Sequence, residues 1–279
     1  MSKNKRFFNK NSIPFLLLTI IPLSMILILL KRKKQKDVWI LLLSNIGFAY
    51  FFEYPTLNLF HGYRYKPKMM KRNVFDSILG AIFSQAFYVP VTATFLTLLK
   101  KNWKWKINFS LFYYCIEKLF LRLNIYKVNW WRPIYTLVLL NVYFYISDGF
   151  YHALSAKKRW AMVIAHYFAI EVVWITIMYI SASNRLIRFG HGFLHTWTEH
   201  FKIIPLYSLI LSLIATITSS KDKMYYWLIL PLSHVIIDIV LVIIGILKVN
   251  TKQLLIISSR YFLMTVISRY YYKIIYQNN

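Results

Sequence analysis

The sequence is poor in the residue types that build many catalytic and metal sites. It has one cysteine, Cys115, seven glycines and nine acidic residues among 279. A single cysteine excludes an intrachain disulfide and a cysteine metal cluster. The scattered glycines match neither a phosphate-binding loop nor a small-residue dimer motif. No nucleophile elbow or dinucleotide-binding signature is present either, so the common motifs of soluble enzymes are missing.

The few acids contrast with 35 lysines and arginines, which give a formal net charge of +26, although 58% of the residues are hydrophobic. A soluble basic domain that binds nucleic acid cannot hide so much apolar surface. A disordered basic tail would be poor in aromatic residues, which make up 19% here. We therefore expect a membrane protein with no nucleic-acid partner, whose cations face the anionic headgroups of the lipid bilayer.

Nine apolar runs approach the roughly 20 residues that cross a hydrocarbon core. They cover residues 12–30, 38–56, 73–99, 107–126, 133–154, 160–183, 203–219, 224–247 and 254–267. Because strict alternation is missing, we predict an all-α fold, a polytopic transmembrane helical bundle with seven to nine spans. Lysines and arginines are nearly even between alternate connectors and do not fix the orientation. Most tryptophans, Trp131 among them, fall near the edges of runs, as in an interfacial belt.

Residues 31–155 carry a recurring arrangement of basic, acidic and aromatic residues. A basic stretch precedes one span and Glu53-Tyr54-Pro55 ends it, Glu117-Lys118 lies in a later span, and Tyr126 with Asn129-Trp130-Trp131 opens the next. In this spacing the chain resembles a family of uncharacterised multi-pass inner-membrane proteins of spore-forming Gram-positive bacteria. The resemblance implies an integral protein of a bacterial plasma membrane and supplies no activity, substrate or cofactor. It separates residues 1–155 from residues 156–279, which carry most histidines, and we expect both regions to form one helical bundle.

Acidic residues lie mostly within the apolar runs, whereas the cations lie mostly between them. A charged group inside a bilayer costs about 2.5 kcal/mol or more, and those that persist usually pair or face a cavity. The candidates for such intramembrane polar sites are Glu117, Asp148, His152, Glu171, His234 and Asp238.

Three acid–imidazole pairs have i, i+4 spacing, which puts both members on one helix face. The pairs are Asp148 with His152, His195 with Glu199, and His234 with Asp238. Two interpretations stay open for each pair. The carboxylate either fixes the imidazole tautomer for chemistry or closes a buried hydrogen bond between helices.

The densest group of histidines lies in the connector 188–200. If this connector is helical, His191, His195 and Glu199 form a stripe on one face, and His200 follows directly. Two imidazoles and a carboxylate suit Zn or Fe and leave coordination positions for water or substrate. The alternative is an interfacial amphipathic connector whose histidines face headgroups.

Three functions stay open from the sequence, and no catalytic residue is identified. The leading hypothesis is a non-enzymatic membrane protein with a structural, assembly or envelope role. The second is a metal-dependent membrane enzyme that uses His191, His195 and Glu199. The third is a proton- or cation-coupled transporter that uses the intramembrane acids, although no inverted repeat is detected and broken-helix signals are limited to Pro90. Convergence of the acid–imidazole pairs on one cavity would favour chemistry.

Overall fold

The structure, a computed structural model, describes residues 8–191, 195–220 and 225–277. These residues are mostly helical, so the all-α prediction is confirmed. Within the described ranges, five helices are long and apolar enough to cross a membrane: Ser12–Arg32, Asn73–Leu98, Arg159–Ser183, Trp197–Ser219 and Tyr226–Ile243. The first residue of the predicted run 224–247 and residues 192–194 of the connector lie outside the described residues. The chain divides into two compact units, unit 1 (Met1–Lys158) and unit 2 (Arg159–Asn279).

Unit 1 contains six α-helices among its described residues. Its helices are α1 (Ser12–Arg32), α2 (Gln35–Glu53), α3 (Asn73–Ile82), α4 (Val89–Leu98), α5 (Trp103–Arg122) and α6 (Pro133–Ser155). A π-helical turn, Phe83–Tyr88, joins α3 directly to α4. Pro90 lies in the first turn of α4, where a missing N–H is tolerated. Asn73–Leu98 is therefore continuously helical, and Pro90 does not break it.

A short antiparallel sheet joins two connectors of unit 1. Strand β1 (Tyr63–Tyr65) pairs with β2 (Tyr126–Val128), and Tyr65 lies opposite Tyr126. Successive strand residues point to opposite faces. The tyrosines are consequently buried, whereas Arg64 and Lys127 between them are exposed.

The core of unit 1 is built from aromatic side chains of α1, α5 and the sheet. Phe15 is fully buried and its ring lies 4.7 Å from that of Phe120 and 6.3 Å from that of Tyr65. Gly80 of α3 allows the close approach of the sheet, because a Cβ atom there would meet the Tyr65 Cβ at 2.3 Å.

A π-helical segment, Lys273–Gln277, ends the described part of unit 2, which otherwise contains four α-helices and two strands. They are α7 (Arg159–Ser183), β3 (Arg188–Phe189), α8 (Trp197–Ser219), α9 (Tyr226–Ile243), β4 (Leu247–Lys248) and α10 (Thr251–Tyr272). Strands β3 and β4 are antiparallel. Capping boxes begin α8 and α10, formed by Thr196 with Glu199 and by Asn250 with Gln253.

The two units share an order of elements. After α1, the order in unit 1 is α2, β1, the continuous helix α3–α4, α5, β2 and α6. Unit 2 has the same order of helices and strands, with α7, β3, α8, α9, β4 and α10. In both units the first strand pairs antiparallel with the second.

Six of the tryptophans predicted to form an interfacial belt are exposed, and Trp131 is the exception. The exposed members are Trp39, Trp103, Trp105, Trp130, Trp160 and Trp227. Trp131 differs, because it is buried and packs its ring 5.4 Å from the ring of Tyr63. The sequence could not separate Trp131 from its exposed neighbour Trp130, since both stand at the same edge of a run.

Candidate functional site

Unit 1 contains a cavity of about 270 Å³ between its helices and the β1–β2 sheet. The wall is largely aromatic and includes Phe15, Phe48, Tyr63, Tyr65, Tyr113, Tyr126 and Trp131. Its polar side chains are few, namely Ser84, Gln85, Glu117 and Thr136 together with the tyrosine hydroxyls. A mostly apolar cavity with a few convergent polar groups is typical of a small-molecule site.

The β1–β2 sheet supplies one side of the cavity wall. The ring of Tyr126 lies 5.4 Å from that of Tyr63 and 5.0 Å from that of Tyr65. Burial raises the pKa of all three tyrosines well above the ordinary value, and the nearby Glu53 carboxyl raises the pKa of Tyr63 and Tyr65 further. Their phenol groups therefore stay protonated at physiological pH, and that of Tyr63 donates a hydrogen bond.

Glu53 is the first of two buried acids beside this wall. It is the last residue of α2 and is 5% exposed. The hydroxyl of Tyr63 donates a hydrogen bond to its Oε2 atom. Glu53 thus fixes the sheet to the end of α2.

Glu117 of α5 is the second buried acid, and it lines the cavity directly. It is 9% exposed, and its Oε1 atom is buried without a hydrogen-bond partner among the described residues. The hydroxyl of Thr136 lies beside this carboxyl and accepts a hydrogen bond from Trp131 Nε1 at 3.0 Å. A buried polar atom without a partner costs about 1–3 kcal/mol. Glu117 therefore brings to the cavity wall a carboxyl group whose Oε1 atom lacks a hydrogen-bond donor among the described residues.

A different polar site in unit 1 replaces the predicted pair of Asp148 with His152. Asp148 accepts a hydrogen bond from Thr97 Oγ1 at 2.6 Å and forms an ion pair with Lys106. His152 is exposed. The buried ammonium of Lys106 needs a counter-ion, whereas an exposed imidazole is solvated, so the carboxylate pairs with the lysine.

In unit 2, His234 and Asp238 share a face of α9 as their spacing predicts, but their contacts are with other residues. Asp238 accepts hydrogen bonds from the hydroxyls of Tyr207 and Tyr261. The His234 ring stacks on Trp174 at 5.2 Å and meets the Tyr261 ring edge-on at 4.7 Å. All five side chains are buried. They join α7, α8, α9 and α10 in one core.

Glu171 of α7 is also satisfied by hydroxyl groups. Its Oε2 atom accepts hydrogen bonds from Ser208 at 2.9 Å and from Ser212 at 2.7 Å, both on α8. Glu171 is 5% exposed. It therefore binds two helices together, as the simpler interpretation of a buried acid predicts.

The predicted metal stripe requires a helix, and the described residues of the connector before α8, 188–191 and 195–196, are not helical. His191 and His195 both precede α8, which begins at Trp197, and His195 has a positive φ of 43°. Glu199 is engaged in the capping box with Thr196. His200 accepts a hydrogen bond from the Phe189 backbone N–H at 3.0 Å through Nδ1.

Metal ligation by this connector accordingly lacks geometric support. In the described ranges, no group of three or more His, Cys, Asp or Glu side chains could hold a metal ion. The three acid–imidazole pairs do not meet in one hydrogen-bond network among these residues. Asp148 belongs to unit 1, whereas His195 and His234 belong to unit 2.

Sequence reasoning selected Glu117 but missed the tyrosines that surround it. Tyr63, Tyr65 and Tyr126 belong to strands of three residues, too short for a periodic signal to stand out. The alternation Tyr63-Arg64-Tyr65 is the one local signal that could have found them.

No family model, no curated protein and no solved structure matches this chain. The function is therefore argued from the geometry of the described residues. Two sites qualify by burial and polarity, the cavity at Glu117 in unit 1 and the tyrosine-covered Asp238 in unit 2. Only the first combines an accessible volume with an acceptor that still lacks a donor.

Proposed function

We propose that this chain is a non-enzymatic integral protein of a bacterial plasma membrane, an envelope component that binds an apolar small molecule in the cavity of unit 1. The proposal includes seven to nine membrane crossings. Beyond the five most apolar helices, α2, α5, α6 and α10 each have 19 or more residues, enough to cross a hydrocarbon core. The family resemblance of residues 31–155 motivates the bacterial plasma membrane as the location.

The observation that carries the binding function is the cavity at Glu117. An aromatic wall favours an apolar or aromatic body through burial and ring contacts. The buried Oε1 atom of Glu117 favours a polar group at one end of that body. Molecules of this kind dissolve in the membrane, from which they can reach a site among its helices.

Basic and aromatic residues at the helix ends support the membrane environment. Lys31 and Arg32 end α1, and exposed Trp103 and Trp105 begin α5. The cation of Lys101 lies over the Trp105 ring at 4.8 Å. Such residues suit the anionic headgroup layer, which is the partner proposed for the cations.

The transport and metal hypotheses have weaker support. The path for protons or cations was predicted to use Glu117, Asp148, Glu171 and Asp238. The last three each accept a hydrogen bond from a hydroxyl group, and Glu117 alone of the four has a buried oxygen without a hydrogen-bond partner among the described residues. The metal hypothesis rested on a helical stripe through His191 and His195, and both residues precede α8.

Photolabelling of the detergent-purified full chain tests the binding function. The probe is hexylbenzene carrying a diazirine on its chain, and labelled residues are mapped by mass spectrometry. We expect saturable labelling of cavity residues such as Ile116 and Leu140, suppressed by excess unlabelled hexylbenzene. Val138 of α6 is the internal control, because it is 54% exposed on the outside of the same helix. Labelling confined to outward residues such as Val138, without saturation, would contradict the proposal.

A further inference from the structure

The shared order of elements in the two units extends to single positions. In the sheets, Arg64 lies opposite Lys127 in unit 1, and Arg188 lies opposite Lys248 in unit 2. The next pair in each sheet is apolar or aromatic and buried, Tyr65 with Tyr126 and Phe189 with Leu247. The backbone N–H that follows each first strand, of Lys66 or Gly190, donates to Ile125 or Ile246 respectively.

The helix ends before these strands also match. Asn124 after α5 and Gly245 after α9 both have positive φ, 56° and 76°. The segment Ile125-Tyr126-Lys127-Val128-Asn129 in unit 1 corresponds to Ile246-Leu247-Lys248-Val249-Asn250 in unit 2, with four of five residues identical. His61 and Arg185, before the first strands, likewise share positive φ.

Side-chain contacts between the last helices follow the same correspondence. Keeping the spacing of the matched segment, Lys106 corresponds to Trp227 and Asp148 to Arg269. Lys106 pairs with Asp148, and Arg269 lies over the Trp227 ring at 4.2 Å. The contact is thus kept while its chemistry differs. We infer that unit 2 repeats the part of unit 1 that follows α1, as the second copy of an internal tandem repeat.

The repeat makes Asp238 of unit 2 the counterpart of Glu117 in unit 1. By the same spacing, His234 corresponds to Tyr113 and Tyr261 to Leu140. Tyr113, Glu117 and Leu140 all line the cavity of unit 1. In unit 2, Tyr261 contacts the other two counterparts: its ring meets the His234 ring edge-on, and its hydroxyl donates a hydrogen bond to Asp238.

In unit 2 the group beside the acid Asp238 belongs to the protein itself and is the side chain of Tyr261. It is an aromatic ring that ends in a hydroxyl group. Leu140 is shorter and has no donor, and the Glu117 Oε1 atom has no partner among the described residues. We propose that the cavity of unit 1 binds an apolar, ring-bearing molecule whose hydroxyl group donates to Glu117, as Tyr261 donates to Asp238. This inference rests on the proposed binding function and specifies its ligand class.

Other buried acids of the chain support a hydroxyl donor over an anionic group. Tyr63 donates to Glu53, and Ser208 and Ser212 donate to Glu171. An anionic ligand end would place like charge against Glu117 in a site of low dielectric, which is unfavourable. A pure hydrocarbon would leave the Glu117 oxygen without a donor.

Competition against the diazirine probe tests the ligand class on the full chain. The competitors are para-hexylphenol, hexylbenzene and para-hexylbenzoate, which share ring and tail and differ in the polar end. One hydrogen bond to a buried carboxyl corresponds to about a tenfold change in dissociation constant. We expect para-hexylphenol to compete about tenfold more strongly than hexylbenzene, and para-hexylbenzoate to be weakest.

Two variants locate this preference at the proposed contact. Glu117→Leu should remove the tenfold advantage of para-hexylphenol while hexylbenzene still binds. Leu140→Tyr should abolish saturable labelling, because its hydroxyl takes the place of the ligand, and Val138→Tyr on the outer face of α6 should have no effect. Equal competition by phenol and hydrocarbon in the unsubstituted protein would overturn the hydroxyl inference and leave the binding function standing. Absence of saturable cavity labelling by any probe would overturn the binding function itself.

Discussion

Units 1 and 2 place an acid at corresponding positions of the same order of elements, and they surround it differently. In unit 2, Asp238 is 1% exposed and is covered by the hydroxyls of Tyr207 and Tyr261. In unit 1, Glu117 faces a cavity of about 270 Å³ with one oxygen unpartnered among the described residues. In unit 2 the acid joins helices, whereas in unit 1 we propose that it binds a ligand.

The largest expected loss of stability comes from removing the Tyr261 side chain that covers Asp238 in unit 2. Tyr261→Leu introduces the residue that stands at the corresponding place in unit 1. It removes a fully buried ring and one donor to Asp238, and should lower the free energy of unfolding by about 3 kcal/mol. Denaturant titration in mixed micelles measures this loss. Tyr261→Phe, which keeps the ring, should lose less than half as much. Equal losses for the two variants would show that ring packing at this position adds nothing.

The second largest loss of stability is expected at the Lys106–Asp148 ion pair, whose counterpart in unit 2 is the contact of Arg269 with the Trp227 ring. Lys106→Met removes the cation from Asp148, whose side chain is 37% exposed, and should cost about 2 kcal/mol in the same titration. The double variant Lys106→Trp with Asp148→Arg introduces the pair found in unit 2. It should be more stable than the sum of its single variants predicts, by about 1 kcal/mol. Strict additivity would contradict the correspondence of these positions.

Filling the open copy should stabilise it. Leu140→Tyr places a ring beside Thr136, because helical side chains lean toward the helix N-terminus, and its hydroxyl can then donate to Glu117. We expect the free energy of unfolding to rise by about 1 kcal/mol. Leu140→Phe, without the hydroxyl, is the matched control and should fall short of this gain. A Tyr variant less stable than the Phe variant would argue against a donor site at Glu117.

The smallest expected effect tests the role of Glu199 in unit 2. Thr196→Ala removes half of the capping box and should cost about 0.5–1 kcal/mol. Elemental analysis of the purified chain serves as the second readout. Bound Zn or Fe that is lost in a Glu199→Gln variant would restore the metal hypothesis for this connector.

The sequence predicted the helices well and the sites only in part. Long apolar runs specify helices in a membrane regardless of tertiary contacts, so the all-α class followed directly. The run 107–126 was weakened by charged residues, yet α5 is a continuous helix from Trp103 to Arg122. Glu117 is buried within it, and Lys106 is buried in its ion pair with Asp148. Such contacts depend on residues far along the chain and leave no periodic signal.

The tandem repeat was missed for a related reason. Identical residues are concentrated in one short segment, 125–129 against 246–250, whereas other positions keep contacts rather than residue types, as in Lys106 with Asp148 and Trp227 with Arg269. The i, i+4 spacing, by contrast, suggested contacts that are absent from the described residues. It places His234 and Asp238 on one helix face without making them partners. The actual partners, Tyr207 and Tyr261, come from neighbouring helices.

A high-resolution experimental structure of the full chain with para-hexylphenol is the most direct test of whether a hydroxyl-bearing ring binds at Glu117. We expect the phenol ring in the cavity of unit 1, with its oxygen at about 2.7 Å from a carboxyl oxygen of Glu117. The ring should approach Glu117 as the ring of Tyr261 approaches Asp238 in unit 2. A cavity without the ligand, or a hydroxyl group that points away from Glu117, would contradict it.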